Sequence, residues 1–339
     1  MRVLVIGAGR MGAIRVADLV GDPRVSEVVV ANRTDARGAA LADRTGARHV
    51  AWSDLGGVRQ DATVVALATA AHADLLHQVL ATGRPVLCEK PIALGLAETL
   101  DVIAVAERCG STVQVGFQRR HDPGIRELHD RIVDGRLGTV YSLRLLSHDV
   151  APSTVEFAAA SGGIFRDLHV HDLDLVRWLT GSPVETVFAT TAVRAHPQYE
   201  ALGDADVSLV HAVTASGVQV SVHGARHDAV GHDVRVEAFG SLDSVAAGVT
   251  DRTPLRALDA GGAVPTDPYA GFVDRFRTAF ARETAAFVDL VVDGGPSPCP
   301  PQEALESLRA AIACERSVAL ASPVRVADVT ASDPDGGRS

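Results

Sequence analysis

The 339-residue chain has the composition of a folded globular protein: 47% of its residues are hydrophobic and 22% are charged, which excludes wholesale disorder. Its net charge of −10 argues against a nucleic-acid surface, which would need a basic stripe. The longest mostly apolar stretch, Ala62–Ala71, is too short to span a membrane, and the N-terminus does not resemble a signal peptide. Four cysteines without a CxxC pair favour reduced thiols, so we expect a cytoplasmic protein.

The first third of the chain alternates apolar runs with helical patterns, which predicts an α/β domain with a parallel sheet over residues 1–118. The predicted strands are Arg2–Ile6, Glu27–Ala31, Thr63–Ala68, Pro85–Cys88 and Thr112–Val115. The predicted helices between them are Met11–Leu19, Ala36–Arg44, Ala73–Ala81 and Leu96–Arg108.

The pattern changes at about Arg119, which predicts a second, α+β domain over residues 119–330 built on a large, mostly antiparallel sheet. Its predicted helices are Pro123–Asp134, Gly163–Leu179, Asp274–Val292 and Pro301–Leu320, with a polar loop ending at Thr154. Its predicted strands are Thr139–Leu146, Val184–Val193, Asp206–Thr214, Val218–Gly224 and Val234–Phe239. The polar tail 331–339 is predicted to be disordered.

A glycine-rich loop, Gly7-Ala8-Gly9-Arg10-Met11-Gly12, directly follows the first predicted strand and opens a helix. Gly7 permits the tight turn, Gly9 lets the backbone approach a pyrophosphate, and Gly12 allows close helix packing. The helix N-terminus, with Arg10 and Met11, offers unpaired N–H groups to the anion. The loop therefore predicts dinucleotide binding.

The choice of dinucleotide depends on Asn32, Arg33 and Thr34 at the end of the second strand. NAD sites usually place an acidic residue there to bind the ribose hydroxyls. Asn32 has no charge to repel a 2′-phosphate, and Arg33 and Thr34 are suited to bind one. These residues favour NADP, while NAD bound by Asn32 stays open as the alternative.

Lys90 is the only lysine among the 32 basic residues, and it follows a predicted strand in Cys88-Glu89-Lys90-Pro91. Ligands bind at this edge of parallel sheets, and Pro91 disfavours helical geometry at Lys90. A compact ammonium polarises a substrate oxygen and stabilises developing alkoxide charge. We therefore predict a catalytic role for Lys90.

A second group of reactive side chains lies in the segment 161–174, where Asp167 and His171 are four residues apart on one predicted helix face. Oxidation of an alcohol requires a base for the hydroxyl proton, and histidine is the usual one. A metal site at His169, His171 and Asp172 is the competing interpretation. His-x-His spacing on a helix directs the two imidazoles to different faces, so we expect no metal.

Together the GAGRMG start, the CEKP strand end and the GGIFRDLHVHDLD segment resemble the glucose–fructose oxidoreductase/inositol dehydrogenase (Gfo/Idh/MocA) family, and most closely its inositol 2-dehydrogenase branch. The stretches Gly116–Leu143, Ser147–Pro152 and Val155–Gly181 also resemble it, so the match covers nearly the whole chain in order. The resemblance implies a Rossmann domain followed by the large-sheet domain, and an NAD(P)-dependent dehydrogenase that forms homodimers or homotetramers.

The resemblance also implies roles for individual residues. Lys90, Asp167 and His171 match the catalytic set, with His171 as the proton acceptor. The positions that match substrate contacts are Gln118, Arg119, Asp149 and His232. His72 matches a position near the nicotinamide, and Thr69, Glu89 and Lys90 are assigned to the same cofactor pocket.

The sequence departs from the inositol branch at three places. His148-Asp149-Val150 stands where Arg-Asp-Pro is common, His232 where tyrosine is common, and Asn32-Arg33 where an acidic residue is usual. The predicted substrate is therefore a cyclitol or sugar, with an inositol as the first candidate. An NAD-dependent glycoside hydrolase and a non-catalytic dinucleotide-binding regulator are the alternatives, although a regulator has no need of Lys90, Asp167 and His171.

Overall fold

The computed structural model of the chain describes residues 1–262 and 265–332. From residue 333 onward, the predicted disordered tail lies outside the described residues. The chain forms two compact units: one joins Met1–Gln118 to Thr278–Leu305, and the other joins Arg119–Arg277 to the residues from Glu306 onward. No helix of the described residues is both long and apolar enough to cross a membrane.

Strands and helices are numbered separately in chain order. The strands are β1 (Arg2–Ile6), β2 (Glu27–Ala31), β3 (Arg48–His49), β4 (Ala62–Val65), β5 (Val86–Glu89), β6 (Val113–Gly116), β7 (Val140–His148), β8 (Val184–Ala192), β9 (Val207–Thr214), β10 (Gln219–Ala225), β11 (Asp233–Gly240), β12 (Ser244–Ala247) and β13 (Val324–Arg325). The helices are α1 (Arg10–Val20), α2 (Asp35–Thr45), α3 (His72–Leu80), α4 (Leu96–Cys109), α5 (Pro123–Val133), α6 (Val155–Ala160), α7 (Val170–Thr180), α8 (Gln198–Ala201), α9 (Phe272–Arg275), α10 (Arg277–Asp293) and α11 (Pro301–Leu320).

The first unit contains a six-stranded parallel sheet in the order β3-β2-β1-β4-β5-β6. Its central strands are continuous apolar runs because helices cover both faces of such a sheet. The order reverses beside β1, which brings the carboxyl ends of β1 and β4 to the crevice where dinucleotides bind in this fold. The predicted Rossmann architecture is confirmed.

Helix α10 packs into the core of the first unit, where Phe287, Val288 and Leu290 join Val3 and Val5 of β1. The predicted division had placed this helix with residues 119–330, because an amphipathic pattern does not reveal which core its apolar face meets. The single predicted helix Asp274–Val292 is also interrupted, since α9 ends at Arg275 and α10 begins at Arg277.

The second unit contains a seven-stranded sheet in the order β12-β11-β7-β10-β9-β8-β13. Only the β7–β10 pair is parallel, so the predicted mostly antiparallel sheet is confirmed. A π-helical turn, Phe165–His169, runs directly into α7 on the buried face of this sheet. Gly224 of β10 provides the space for this packing, since a Cβ atom there would lie 2.4 Å from Nε2 of His169.

Candidate active site

The loop between β1 and α1 has the form of a pyrophosphate cradle. Gly7 has a φ of +123°, and a Cβ atom there would lie 2.3 Å from the Ala66 carbonyl oxygen. A Cβ atom on Gly12 would lie 1.9 Å from the carbonyl oxygen of Gly7, whereas one on Gly9 would meet nothing within 4 Å. Packing therefore excludes a side chain at Gly7 and at Gly12, while the backbone at Gly9 faces open space. Because no side chain caps α1, its first N–H groups suit a bound phosphate.

The amide of Asn32 joins the two loops that would hold the adenosine end of a dinucleotide. Its Oδ1 accepts a hydrogen bond from the backbone N–H of Ala8 at 3.0 Å, and its Nδ2 donates to the carbonyl oxygen of Thr34 at 2.9 Å. Asn32 is 9% exposed. The side chain therefore fixes the ends of β1 and β2 relative to each other and carries no charge of its own.

Arg33 and Thr34 lie exposed at the start of α2, next to Asn32. The Arg33 guanidinium carbon lies 5.8 Å from the centroid of the Trp52 ring, a geometry that holds the side chain by a cation–π contact. Thr34 is the N-cap residue of α2, but its hydroxyl makes no capping bond. The nearest acidic residue, Asp35, uses Oδ1 to accept the backbone N–H of Trp52 at 2.9 Å.

His72 begins α3 and is buried, 1% exposed, beneath two loops of the first unit. Its Nδ1 lies 3.0 Å from the carbonyl oxygen of Pro91, and its Nε2 lies 3.1 Å from that of Leu67. Burial lowers the pKa of His72, although the two carbonyls oppose that effect. His72 thus connects the loop after β4, which includes the half-buried Thr69, to the segment after Lys90.

The residue before Lys90 is held by a fully buried arginine that the sequence analysis missed. Arg15 of α1 donates to Oε1 of Glu89 at 2.8 Å, to Oγ1 of Thr284 at 3.0 Å, and to the carboxylate of Glu283. Burial alone would lower the pKa of Arg15, but the two glutamates outweigh it and raise the pKa. These contacts fix the end of β5, and the half-buried Lys90 follows it directly.

Asp167 lies within the π-helical turn, and His171 lies in the first turn of α7. The Asp167 side chain is 19% exposed, while His171 is 8% exposed as a residue. The predicted helix is present from Gly163 to Thr180, but its i→i+5 turn was not foreseen. Such turns are rare and occur frequently at functional sites.

His169 and Asp172, which the metal interpretation would have used, belong to a buried hydrogen-bonded network. Nδ1 of His169 lies 2.9 Å from Asp172, and its Nε2 lies 2.6 Å from the Ser208 hydroxyl. Asp172 also accepts from Arg119 at 2.6 Å and from Ser147 at 2.6 Å. Burial opposes ionisation of Asp172, but Arg119 and His169 outweigh it and lower the pKa. Across residues 1–262 and 265–332, no group of three or more His, Cys, Asp or Glu is arranged to hold a metal ion.

The residues predicted to contact substrate differ in accessibility. Gln118 and Arg119 are 5% and 3% exposed, and the Arg119 guanidinium is already bound to Asp172 and Ser147. Asp149 follows β7 with 34% of its side chain exposed, and Nδ1 of the buried His232 lies 3.6 Å from its carboxylate. Within the described residues, Nε2 of His232 has no hydrogen-bond partner. The substrate roles of these four residues stay predictions.

Sequence reasoning also missed Arg226, which directly follows β10 and is 1% exposed. Its guanidinium lies 3.3 Å from Oδ2 of Asp167 and 2.9 Å from Oδ2 of Asp204. Burial alone would lower the pKa of Arg226, but the two carboxylates outweigh it and raise the pKa. The only sequence signal is a basic residue directly after a strand of alternating polar and apolar residues.

Comparison with known proteins matches both units to one family. Residues 1–117 match the family model described as "Oxidoreductase family, NAD-binding Rossmann fold", and residues 125–246 match the GFO/IDH/MocA C-terminal domain. The myo-inositol dehydrogenase Hyg17 of Streptomyces leeuwenhoekii is 36% identical, over 95% of this chain and 98% of the relative. The inositol 2-dehydrogenase of Rhizobium meliloti is 32% identical, over 96% and 99% of the two chains.

The crystal structure of a myo-inositol dehydrogenase from Corynebacterium glutamicum superimposes with a TM-score of 0.88. It is 31% identical, and the match covers 96% of this chain and 98% of that one. The open cradle at Gly9 agrees with the NAD-binding description of the first family model. The chain therefore belongs to the GFO/IDH/MocA family of oxidoreductases, which act on CH–OH groups.

Proposed function

We propose that the protein oxidises a ring CH–OH group of a cyclitol or a related sugar, with an inositol as the first substrate to test. The proposal rests on one observation above all: a chain 36% identical to a myo-inositol dehydrogenase along nearly its whole length has Lys90, Asp167 and His171 at the positions that the family resemblance assigns to catalysis. It also has a glycine-rich loop whose backbone is open at Gly9, where a pyrophosphate would bind.

In this proposal Lys90 and His171 act on the reacting hydroxyl, and Asp167 acts on His171. His171 accepts the hydroxyl proton, and Asp167, which precedes it in the same helical segment, supplies a carboxylate for the proton relay. Lys90 donates a hydrogen bond to the same oxygen and stabilises its developing negative charge. The bound nicotinamide supplies the hydride acceptor. Arg15 and Glu89 hold the strand end from which Lys90 projects.

Lys90→Ala tests the catalytic assignment. We expect turnover to fall about 10²–10³-fold because one donor to a developing oxyanion is lost. Affinity for the dinucleotide should stay nearly unchanged, since the cradle lies at Gly7–Gly12. Lys90→Arg is the matched variant: it keeps the charge but not the compact ammonium, and we expect it to recover little turnover. Near-wild-type turnover in Lys90→Ala would remove Lys90 from the mechanism.

For the cofactor we propose a preference for NADP over NAD. Asn32 has no charge that would repel a 2′-phosphate. Arg33 and Thr34 place a guanidinium and a hydroxyl that makes no capping bond at the exposed start of α2. Arg33→Ala should weaken NADP binding about 10–100-fold, the value of a charge-assisted hydrogen bond, and leave NAD binding unchanged. Arg44→Ala, at the other end of α2, is the control. Equal losses for NADP and NAD would contradict the 2′-phosphate assignment.

The reaction itself is tested by the appearance of reduced-nicotinamide absorbance with a panel of cyclitols and sugars, each with NAD and with NADP. Reduction with myo- or scyllo-inositol would support the inositol assignment. Release of a free sugar from a glycoside without net cofactor reduction would favour a hydrolase. Tight dinucleotide binding with neither reaction would favour a regulator.

We also propose that the protein is a cytoplasmic homodimer or homotetramer. One face of the second sheet carries exposed apolar side chains, with Leu209 54% and Phe188 37% exposed on neighbouring strands. The four cysteines are free thiols, which suits a reducing compartment. Light scattering coupled to size-exclusion chromatography gives the subunit number directly, and a monomer at micromolar concentration would contradict the assembly.

A further inference from the structure

The carboxylate of Asp167 is one end of a buried chain of three charged side chains in the second unit. Arg226 lies between two aspartates: Nη1 is 3.3 Å from Oδ2 of Asp167, and Nη2 is 2.9 Å from Oδ2 of Asp204. The Arg226 and Asp204 side chains are each 1% exposed, whereas the Asp167 side chain is 19% exposed. Of these three side chains, only that of Asp167 therefore reaches solvent.

The Asp204 end of the chain is fixed by contacts of several kinds. Oδ1 of Asp204 accepts the backbone N–H of Ile164 at 3.0 Å, immediately before the π-helical turn. The Arg226 guanidinium carbon lies 5.1 Å from the centroid of the fully buried Tyr199 ring, and the Arg226 backbone N–H donates to the carbonyl oxygen of Asp206 at 2.8 Å. The guanidinium therefore has little freedom to follow Asp167 if that side chain moves.

The contact with Asp167 is not needed to satisfy the buried arginine charge. Asp204 already neutralises Arg226 inside the protein, so the contact to a partly exposed carboxylate adds little stability. The contact acts on Asp167 instead: a fixed guanidinium 3.3 Å from Oδ2 restricts the rotamers of this side chain. The proposed mechanism requires an oriented carboxylate at this position.

We propose that Arg226 is a positioning residue for the reaction: its Nη1 holds the Asp167 carboxylate in place, while Asp204 anchors its Nη2. This inference rests on the proposed function, since it gives Asp167 its catalytic role. Arg226 itself is too deeply buried to touch substrate.

The test replaces Arg226 without leaving a buried charge behind. Arg226→Met alone removes the cation beside the buried Asp204 carboxylate and risks unfolding, so the main variant is the double substitution Arg226→Met/Asp204→Asn, in which asparagine still accepts the Ile164 N–H. The matched control is Arg166→Met/Glu315→Gln, which removes another buried ion pair from the same π-helical turn. Arg226→Lys keeps the charge and tests rescue.

Two measurements are made on each variant. The first measurement gives kcat and the dissociation constant for the dinucleotide. The second is the carboxyl ¹³C resonance of Asp167, recorded without substrate. The resonance is assigned by its loss in Asp167→Asn. We expect Arg226→Met/Asp204→Asn to lower kcat about 10–100-fold with dinucleotide affinity unchanged, and to shift the Asp167 resonance. The control should keep kcat within about threefold, and Arg226→Lys should recover part of it.

The outcomes separate this inference from the proposed function. An unshifted Asp167 resonance in the Arg226 variant, or an equal loss of kcat in the control, would overturn the positioning role. A shifted resonance in a protein that oxidises no cyclitol or sugar would support the positioning of Asp167 and contradict the proposed reaction.

Discussion

The buried ring of His232 makes the stability of the second unit depend on pH. Burial, together with the positive charges of Arg119 and Arg275, lowers the pKa of His232 to about 3, although Asp149 at 3.6 Å favours the charged ring. In the unfolded chain a histidine has a pKa of about 6.5. Between these two values the unfolded state binds a proton that the folded state does not. Stability is therefore complete above about pH 6.5 and declines as the pH falls towards 3.

The expected loss follows from the difference in proton binding. Each pH unit in this window changes the free energy of unfolding by about 1.4 kcal/mol per group. Lowering the pH from about 7.5 to 5.0 crosses roughly 1.5 units of the window, so His232 accounts for a loss of about 2 kcal/mol. His232→Gln removes the titrating group and should remove that part of the pH dependence.

The assay is denaturant unfolding at several pH values, followed by the fluorescence of Trp178 in a Trp52→Phe background, since Trp178 lies on α7 of the second unit. His211, exposed on β9, provides the control His211→Gln, which should keep the wild-type dependence. Other buried histidines cancel when the variant is compared with wild type. A difference between His232→Gln and wild type below about 0.5 kcal/mol over this range would refute the reasoning.

Three further outcomes follow from the first unit. Gly9→Ala should fold normally and bind dinucleotide more weakly, because its Cβ enters only the space left for the pyrophosphate; calorimetric titration measures the loss. Gly12→Ala should instead lower the melting temperature, because its Cβ would lie 1.9 Å from a carbonyl oxygen, and an unchanged value would contradict the packing. Arg15→Met should cost about 3–5 kcal/mol in urea unfolding, since it leaves Glu89 and Glu283 buried without their cation, whereas the double variant Arg15→Met/Glu283→Gln should recover part of that loss.

Local pattern was sufficient to predict the parts of the fold that depend on neighbouring residues. The cradle at Gly7–Gly12 and the position of Lys90 after β5 follow from a strand, a turn and a helix start within a few residues. The short strands β3 and β13 were missed because two residues cannot show alternation. The π-helical turn was missed because one i→i+5 turn barely alters an amphipathic pattern.

Contacts between residues distant in the chain could not be predicted in this way. Arg226 lies 59 residues from Asp167 and 22 from Asp204, and in the sequence it is only a basic residue after a strand of alternating polar and apolar residues. Arg15 contacts Glu283, which lies 268 residues away, and the local sequence of α1 does not indicate that this arginine is buried. Sequence reasoning placed Asp167 correctly on a helix, but not the arginine that holds it.

The return of α10 to the first unit imposes an order on folding. The chain leaves that unit at Gln118 and re-enters it at Thr278, so the ribosome must make the whole intervening segment before Phe287 and Glu283 exist. Until then, Arg15 and Glu89 have only part of their final surroundings, and the apolar side of β1 lacks a helix. We expect a fragment ending at Gln118 to expose that surface and aggregate. Exchange of this unit between relatives would therefore have to transfer both of its segments together.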